Sequence, residues 1–327
     1  MTIALVAGSG GHLKQLHMIS GELRGFKTWW ITDLNDQSAS LLEGEKVTWL
    51  PRSRPRQLWK VLLNAVTLAR TFDSSCSTVV STGAGVALSA YLACRIRNIP
   101  FIYIESATRV RELSLTGKVI ERLPSVKRVV QHPELASCLW TYWGSLLDQF
   151  EVQDGPELPQ SAIKVFVTVG VNQEYGFDRL FEKLQTFPKG RFDFVCQWGP
   201  VTGNFIGMRG SSWMTYEEVC LNIRDADVVI SHAGTGSLLT ALEFGKSPIL
   251  VARTSQNSEH VDDHQSDLAR YAGQRNLALI EEASDITPDA LFAAARRRVV
   301  YRDSPDSLAK TLAVHILAEA REDDGKA

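Results

Sequence analysis

The sequence has little of what marks a metalloenzyme, a nucleic-acid binder or a disulfide-stapled secreted domain. Its five cysteines (Cys76, Cys94, Cys138, Cys196, Cys220) are scattered through 327 residues without CxxC spacing. That pattern speaks for reduced core thiols and a cytoplasmic setting. The seven histidines show no HExxH or other zinc spacing, so no metal is expected. A net charge of -2 provides no global basic field, which excludes nucleic acid as the expected partner. No apolar run approaches the ~20 residues that span a bilayer. The opening residues, Met1-Thr-Ile-Ala-Leu-Val-Ala7, run straight into a glycine loop and read as a first strand rather than a signal peptide. One absence is local. Between Lys46 and Phe72 there is no Asp or Glu, but there are Lys46, Arg52, Arg54, Arg56, Lys60 and Arg70.

What is present is an alternation of apolar runs and helical patterns, twice over. In the first half, Ile3–Ala7 reads as a buried parallel strand. It is followed by Gly8-Ser-Gly-Gly-His12 and a helical pattern over residues 13–23. GxGxxG would need glycine where Leu13 stands, so this is a nucleotide-fold opening without a dinucleotide fingerprint. Further strands are expected at 27–32, 46–50, 78–82, 100–106 and 127–131. The fourth ends in Gly83-Ala-Gly85 and the fifth in Glu105. His12, Glu105, Gly10, Gly11 and Gly83 therefore gather at the carboxyl edge of one sheet, where ligands bind in such folds. Glu105 equally suits a structural role, pairing with Arg109 or Arg111.

Residues 58–72 read as a helix with a polar stripe of Lys60, Asn64, Thr67 and Thr71 on a broad apolar arc that includes Trp59. The pattern fits both a core helix and a peripheral helix on an anionic membrane, where each nearby cation contributes about 1 kcal/mol. Asp154-Gly-Pro-Glu-Leu-Pro159 reads as an interdomain linker, which separates a domain at 1–155 from one at 160–327.

The second half opens with a strand at 164–169 into Gly170. Its central unit is the apolar run Val228–Ile230, the loop His232-Ala-Gly-Thr-Gly-Ser237, a helix ending at Gly245, and a second apolar run, Ile249–Ala252. Small residues and free N–H groups at a helix start suit a phosphate. Beyond lies Glu259-His-Val-Asp-Asp-His-Gln265, polar enough to read hydroxyl groups. The expected fold is α/β, with two Rossmann-like domains facing across a cleft and a C-terminal helix. The chemistry such a cleft serves is sugar transfer: a clamp for a leaving diphosphate, hydroxyl-reading groups and a base for the acceptor hydroxyl. His12 and Glu105 are the two candidate bases, and the residues leave the choice open.

Phe166-Val-Thr-Val-Gly170, Ile230-Ser-His-Ala-Gly-Thr-Gly-Ser237 and Asp263-His-Gln265 resemble the donor-binding subunit of the two-subunit UDP-GlcNAc transferase of lipid-linked oligosaccharide synthesis. Gly8-Ser-Gly-Gly-His12, Tyr103-Ile-Glu-Ser106, Arg109-Val, Leu113-Ser-Leu-Thr-Gly117 and Val130-Gln-His132 resemble its membrane-anchoring, acceptor-binding partner. The chain is thus similar to a fused, single-chain version, of the glycosyltransferase family 28 type. The resemblance implies a GT-B fold and inverting, metal-independent transfer from a UDP-sugar to a polyprenyl-diphosphate-linked saccharide at the cytoplasmic face of the inner membrane. It implies donor contacts from Gly170, His232, Gly234, Thr235, Gly236, Ser237, Glu259, Asp263, His264 and Gln265. It further implies acceptor contacts from Gly10, Gly11, Gly83 and Arg109, with His12 or Glu105 as base. Membrane contacts would come from Arg52, Arg54, Arg56, Trp59 and Lys60. Thr240 stands where GlcNAc-transferring relatives often carry glutamate. That brings the chain closer to the bacterial exopolysaccharide and capsule branch and favours a hexose or hexuronic acid donor, with Arg253 as a partner for a uronate carboxylate. Alternatives are a UDP-GlcNAc transferase, a UDP-sugar epimerase of the same architecture, and a non-catalytic scaffold of polysaccharide assembly.

Overall fold

A computed structural model describes residues 1–51, 58–158, 160–170, 175–201, 203, 205–254, 256–257, 259, 264–304 and 307–324. The chain divides into two compact units, one of residues 1–148 with 304–327 and one of residues 149–303.

The first unit is built on seven parallel strands. They are β1 (Thr2–Ala7), β2 (Lys27–Asp33), β3 (Val47–Leu50), β4 (Cys76–Gly83), β5 (Phe101–Ile104), β6 (Lys127–Val130) and β7 (Thr141–Tyr142), in the order β3-β2-β1-β4-β5-β6-β7. Between them run α1 (Gly11–Ser20), α2 (Asp36–Leu41), α3 (Leu58–Thr71), α4 (Gly85–Arg97) and α5 (Leu115–Ile120). β1 is buried at every position, as an apolar run covered on both faces must be. The strand order reverses between β1 and β4, and this switch point is where doubly wound sheets bind ligands.

The second unit repeats the plan. Its strands are β8 (Phe150–Asp154), β9 (Ile163–Thr168), β10 (Phe192–Gln197), β11 (Met208–Ser211), β12 (Val228–Ser231), β13 (Ile249–Leu250), β14 (Leu279–Ile280) and β15 (Arg297–Tyr301). Six of them form a parallel sheet, β11-β10-β9-β12-β13-β14, with its switch point between β9 and β12. Its helices are α6 (Asp178–Leu184), α7 (Tyr216–Asp225), α8 (Thr235–Glu243), α9 (His264–Gln274) and α10 (Pro288–Ala295). A core of Val165, Val167, Phe181, Phe194, Ile230 and Leu291 lies on one sheet face, and Phe166, Val229, Ile223 and Ala241 lie on the other.

Three expectations are corrected. The expected 154–159 linker begins inside a pairing, because β8, which ends at Asp154, pairs antiparallel with β15 and Gly155 N–H donates to Arg296 O at 2.7 Å; Pro159 lies outside the described residues. The division falls at Asp148/Gln149 instead. The last helix, α11 (Leu308–Asp324), belongs to the first unit, where it packs on α1. The polar stripe expected on α3 is also redistributed. Asn64 is buried and donates to Pro51 O at 3.3 Å, while Ala65 and Leu68 are buried where α3 packs on α4. The exposed side instead carries Trp59 (62%), Leu62 (61%), Leu63 (52%) and Val66 (46%). Small or short residues let the helices approach, which leaves the bulky apolar ones outside.

All five cysteines are free. Burial pushes the Cys76 thiol up to about 11 and the Cys196 thiol to about 12. No helix among the described residues is long and apolar enough to cross a membrane.

Candidate active site

In the first unit the loop after β1 lies beside the loop after β4. His12, in the first turn of α1, sits against Gly83, whose φ is +119° and where a Cβ would come within 2.9 Å of the imidazole. A side chain there would both strain the backbone and displace the ring. His12 Nδ1 is 2.6 Å from Thr82 O, and Thr82 Oγ1 donates to His12 O at 2.8 Å. A carbonyl can only accept, so Nδ1 carries the proton and Nε2 of the neutral ring holds a lone pair. Burial lowers the His12 pKa and the positive charge of Arg109 adds to this, while the hydrogen bond to Thr82 opposes them. The turn itself is anchored by Asp33 at the end of β2, which accepts from Ser9 N–H at 2.8 Å and Ser9 Oγ at 2.7 Å. In dinucleotide-binding sheets an acid at this strand end takes the ribose. Here it holds the protein's own loop.

Glu105 follows β5 and is fully buried. Oε1 accepts from Ser106 N–H at 2.9 Å and Tyr103 OH at 3.4 Å. Oε2 accepts from Ser114 N–H at 3.1 Å and Ser114 Oγ at 3.0 Å. Burial raises its pKa, and the donors at Ser106 and Ser114, with Arg109, oppose the rise. Gln15 of α1 completes the support. It accepts from Ala107 N–H at 2.8 Å and from Gln131 Nε2 at 2.9 Å, and donates to Ser106 Oγ at 3.1 Å. Arg109 is close enough to bear on both His12 and Glu105. The first unit therefore brings together His12, Glu105, Arg109 and the glycines at 10, 11 and 83.

The second unit mirrors the arrangement. His232, after β12, lies across the switch point from Gly170, after β9. A Cβ at Gly170, where φ is +72°, would reach within 2.5 Å of the ring, and one at Gly234 would come still closer. The imidazole is buried between the two glycines, with Nδ1 3.4 Å from Thr168 O. Ala233 then takes a positive φ (57°), as Ala84 does (65°) at the start of α4 in the first unit. A non-glycine residue held there stores strain of order 1–3 kcal/mol. The strained turn delivers Gly234 as the N-cap of α8, with no side chain satisfying the first N–H groups. An uncapped terminus with its dipole pointing outward suits an anion. Thr235 is buried there, and Gly236 and Ser237 are partly exposed. Among the described residues, Gln197 Nε2, Ser231 Oγ, Arg253 Nε and Thr254 Oγ1 are buried without a hydrogen-bond partner, all at this carboxyl edge. Orphaned polar atoms gathered at a switch point fit a site that a polar ligand completes.

The cluster after β13 is arranged otherwise than expected. The Glu259 carboxylate is buried and held by Arg179 of α6, with Nε at 2.7 Å and Nη2 at 3.1 Å, and by Thr254 N–H at 3.2 Å. Gln265 Oε1 accepts from Arg253 N–H at 3.2 Å. The Arg253 guanidinium is buried and donates to Val169 O at 2.6 Å and Tyr175 O at 3.3 Å, so it braces loops rather than facing outward. Asp263 and the side chain of His264 lie outside the described residues, as do Arg52, Arg54 and Arg56. Thr240 is buried and donates to Gly236 O at 2.8 Å; it also hydrogen-bonds Tyr216 of α7. It is thus a helix-packing residue behind the loop.

Sequence reasoning missed Asp33, Thr82, Gln15 and Arg179. Asp33 had a signal, an acid at a strand end like Glu105. The others look like ordinary helix or strand residues. Among the described residues, no group of three or more His, Cys, Asp or Glu side chains could hold a metal ion.

Comparison with known proteins bears on the family and the fold. Residues 164–317 match the glycosyltransferase family 28 C-terminal domain, and residues 76–146 match the family described as oligosaccharide biosynthesis protein Alg14 like. A curated relative, the UDP-N-acetylglucosamine transferase subunit ALG13 of Yarrowia lipolytica, is 35% identical over 81 residues. That is 25% of this chain, and the chain spans 39% of the length of that relative. Acinetobacter baumannii MurG superposes with a TM-score of 0.54 at 18% identity over 89% of each chain. A putative UDP-N-acetylglucosamine 2-epimerase from Listeria monocytogenes superposes at 0.61 and 10% identity, over 98% of this chain and 97% of its own. At these identities the likeness is one of fold, and the fold is GT-B. Within this one polypeptide, residues 76–146 are thus similar to Alg14 and residues 164–317 to the glycosyltransferase family 28 C-terminal domain, with a stretch similar to the ALG13 subunit.

Proposed function

We propose that this chain is an inverting UDP-sugar glycosyltransferase. It adds a hexose or hexuronic acid, glucuronic acid being favoured, to a polyprenyl-diphosphate-linked saccharide of bacterial exopolysaccharide synthesis. The observation that carries the reading is the family 28 match over the unit whose switch point presents the uncapped α8 terminus. Charge that develops on the leaving diphosphate is stabilised there by N–H groups and the helix dipole, with no reorganisation needed. His12 is the base. Its Nδ1–H is committed to Thr82, so Nε2 takes the acceptor hydroxyl proton as the oxygen attacks the anomeric carbon. The new C–O bond forms as the bond to the diphosphate oxygen breaks, and UDP leaves with the electron pair. A single displacement inverts the centre. Glu105, with both oxygens engaged by its own loop, holds the loop that carries Arg109.

The exposed Trp59, Leu62, Leu63 and Val66 of α3, with Lys60 and Arg70 on the same helix, support attachment to an anionic membrane surface where the lipid-linked acceptor resides. A second donor, UDP-N-acetylglucosamine, is favoured by the identity to the ALG13 subunit.

The test is a panel of UDP-sugars with a short polyprenyl-diphosphate-linked acceptor. Transfer from one of them is expected. His12→Ala should abolish it while UDP affinity stays within about twofold, because His12 and the α8 loop are on different units. Undiminished turnover would remove His12 from the mechanism. An epimerised product without acceptor would replace the reading with that of an epimerase, and the absence of UDP binding would leave a scaffold.

A further inference from the structure

We propose that Arg179 and Glu259 form a clasp that positions the donor-binding loops of the second unit, and that neither touches the donor. The proposal rests on the donor-site reading above and assigns a role within it.

The geometry is that of a fork meeting a carboxylate. Arg179 Nε and Nη2 donate to the two Glu259 oxygens at 2.7 and 3.1 Å, the bidentate arrangement that fixes orientation as well as distance. Nη2 also donates to Ala252 O at 3.1 Å. The guanidinium carbon lies 5.3 Å from the Phe177 ring centroid. Glu259 in turn accepts from Thr254 N–H, and its own N–H donates to Thr254 O at 3.1 Å, so the two residues are bonded in both directions. One residue of α6, 80 positions earlier in the chain than Glu259, thereby holds both Ala252 and Glu259.

Arg253 braces the same region from the other side. It binds the carbonyls of Val169 and Tyr175, and its backbone N–H meets Gln265 at the start of α9. Burial draws its pKa down to about 10, and Glu259 opposes that fall. Two arginines thus tie Val169, beside Gly170, to Gln265 of α9 and to Glu259, and Glu259 is the anion between them. Glu259 is 6% exposed, and its carboxylate already accepts three hydrogen bonds, from Arg179 Nε, Arg179 Nη2 and Thr254 N–H. Breaking the pair would undo that tie and leave a buried charge without its partner.

The test is a double-mutant cycle on the full chain, with UDP affinity read by titration calorimetry. Arg179→Ala and Glu259→Ala should each weaken UDP binding about tenfold or more, and the double variant should be no weaker than the worse single. Stoichiometry should stay near one. A merely structural loss would instead lower the binding-competent fraction and leave Kd unchanged, which would overturn the proposal. So would multiplying effects, since Glu259 would then contact the ligand in its own right, and so would full affinity in either single variant. Should the alanine variants not fold, Arg179→Lys and Glu259→Gln give the same cycle. Wild-type protein that binds no UDP at all would refute the donor-site reading itself, a separate outcome.

Discussion

Replacing Glu105 with glutamine separates a structural acid from a catalytic one. The carboxylate is fully buried and accepts four hydrogen bonds, two from backbone N–H groups on opposite oxygens. Glutamine keeps one oxygen and replaces the other with a donor. Whichever way the amide turns, an NH2 group faces either Ser106 N–H or Ser114 N–H. The Ser114 and Tyr103 hydroxyls can rotate to accept, but a backbone N–H cannot. One buried N–H left unsatisfied costs about 1–3 kcal/mol, and weakening the remaining charge-assisted bonds adds about 1 kcal/mol. Relief of carboxylate burial, the cause of the raised pKa, offsets part of this. The net is a destabilisation of about 2–3 kcal/mol. With an m-value of about 2 kcal/mol/M, the urea midpoint of the first unit falls by roughly 1 M. Tryptophan fluorescence follows it, since Trp29, Trp30 and Trp140 are buried in this unit. Amide exchange at Ser106 and Ser114 should quicken along with it. A Glu105→Gln protein as stable as wild type but without transfer activity would refute the argument and make Glu105 the base.

Two further perturbations test the first unit. His17 of α1 has its pKa drawn down to about 4, chiefly by burial and secondarily by Lys14. A folded-state pKa below the unfolded value of about 6.5 means that the unfolded chain binds more protons between those values. Stability should therefore fall as pH drops from 6.5 towards 4, by up to roughly 3 kcal/mol before screening. His17→Phe should flatten that slope in urea titrations at several pH values, and an unchanged slope would count against the assignment. On α3, replacing Trp59, Leu62 and Val66 with serine should reduce co-sedimentation with anionic vesicles at least tenfold while the urea midpoint stays put or rises. Equal vesicle binding would refute a membrane role for this face.

How much of this was legible in the sequence depended on burial. Parallel strands covered on both faces read as unbroken apolar runs, so Ile3–Ala7, Val165–Val167 and Val228–Ile230 gave away both sheets and their glycine-bearing ends. The strands at the margins did not show. Met208–Ser211 contains Arg209 and Gly210, and Arg297–Tyr301 is exposed at every second or third residue. The first carries no apolar run, the second buries only Val299 of its five residues, and their pairing is decided by partners far along the chain. The site divides similarly. Glycines and histidines at strand ends were visible because their positions follow from the local pattern. Glu105 and Glu259 were visible as residues but not as roles. An acid at a strand end looks the same whether it meets a substrate or an arginine 80 residues away. Asn64 and Thr240 looked exposed or functional by type, yet both are buried against a neighbouring helix that no local pattern specifies.

The antiparallel pairing of β8 with β15 has a topological consequence. Arg302 N–H donates to Gln149 O at 2.7 Å, so the chain leaves the first unit and returns to it at adjacent points. Residues 149–303 are therefore an insertion in the first unit rather than a domain appended to it. One proteolytic cut at either crossing would leave the two units covalently joined, and only a cut at both would free the insert. Its two new ends would then lie side by side, close enough for a short peptide to join them into a ring.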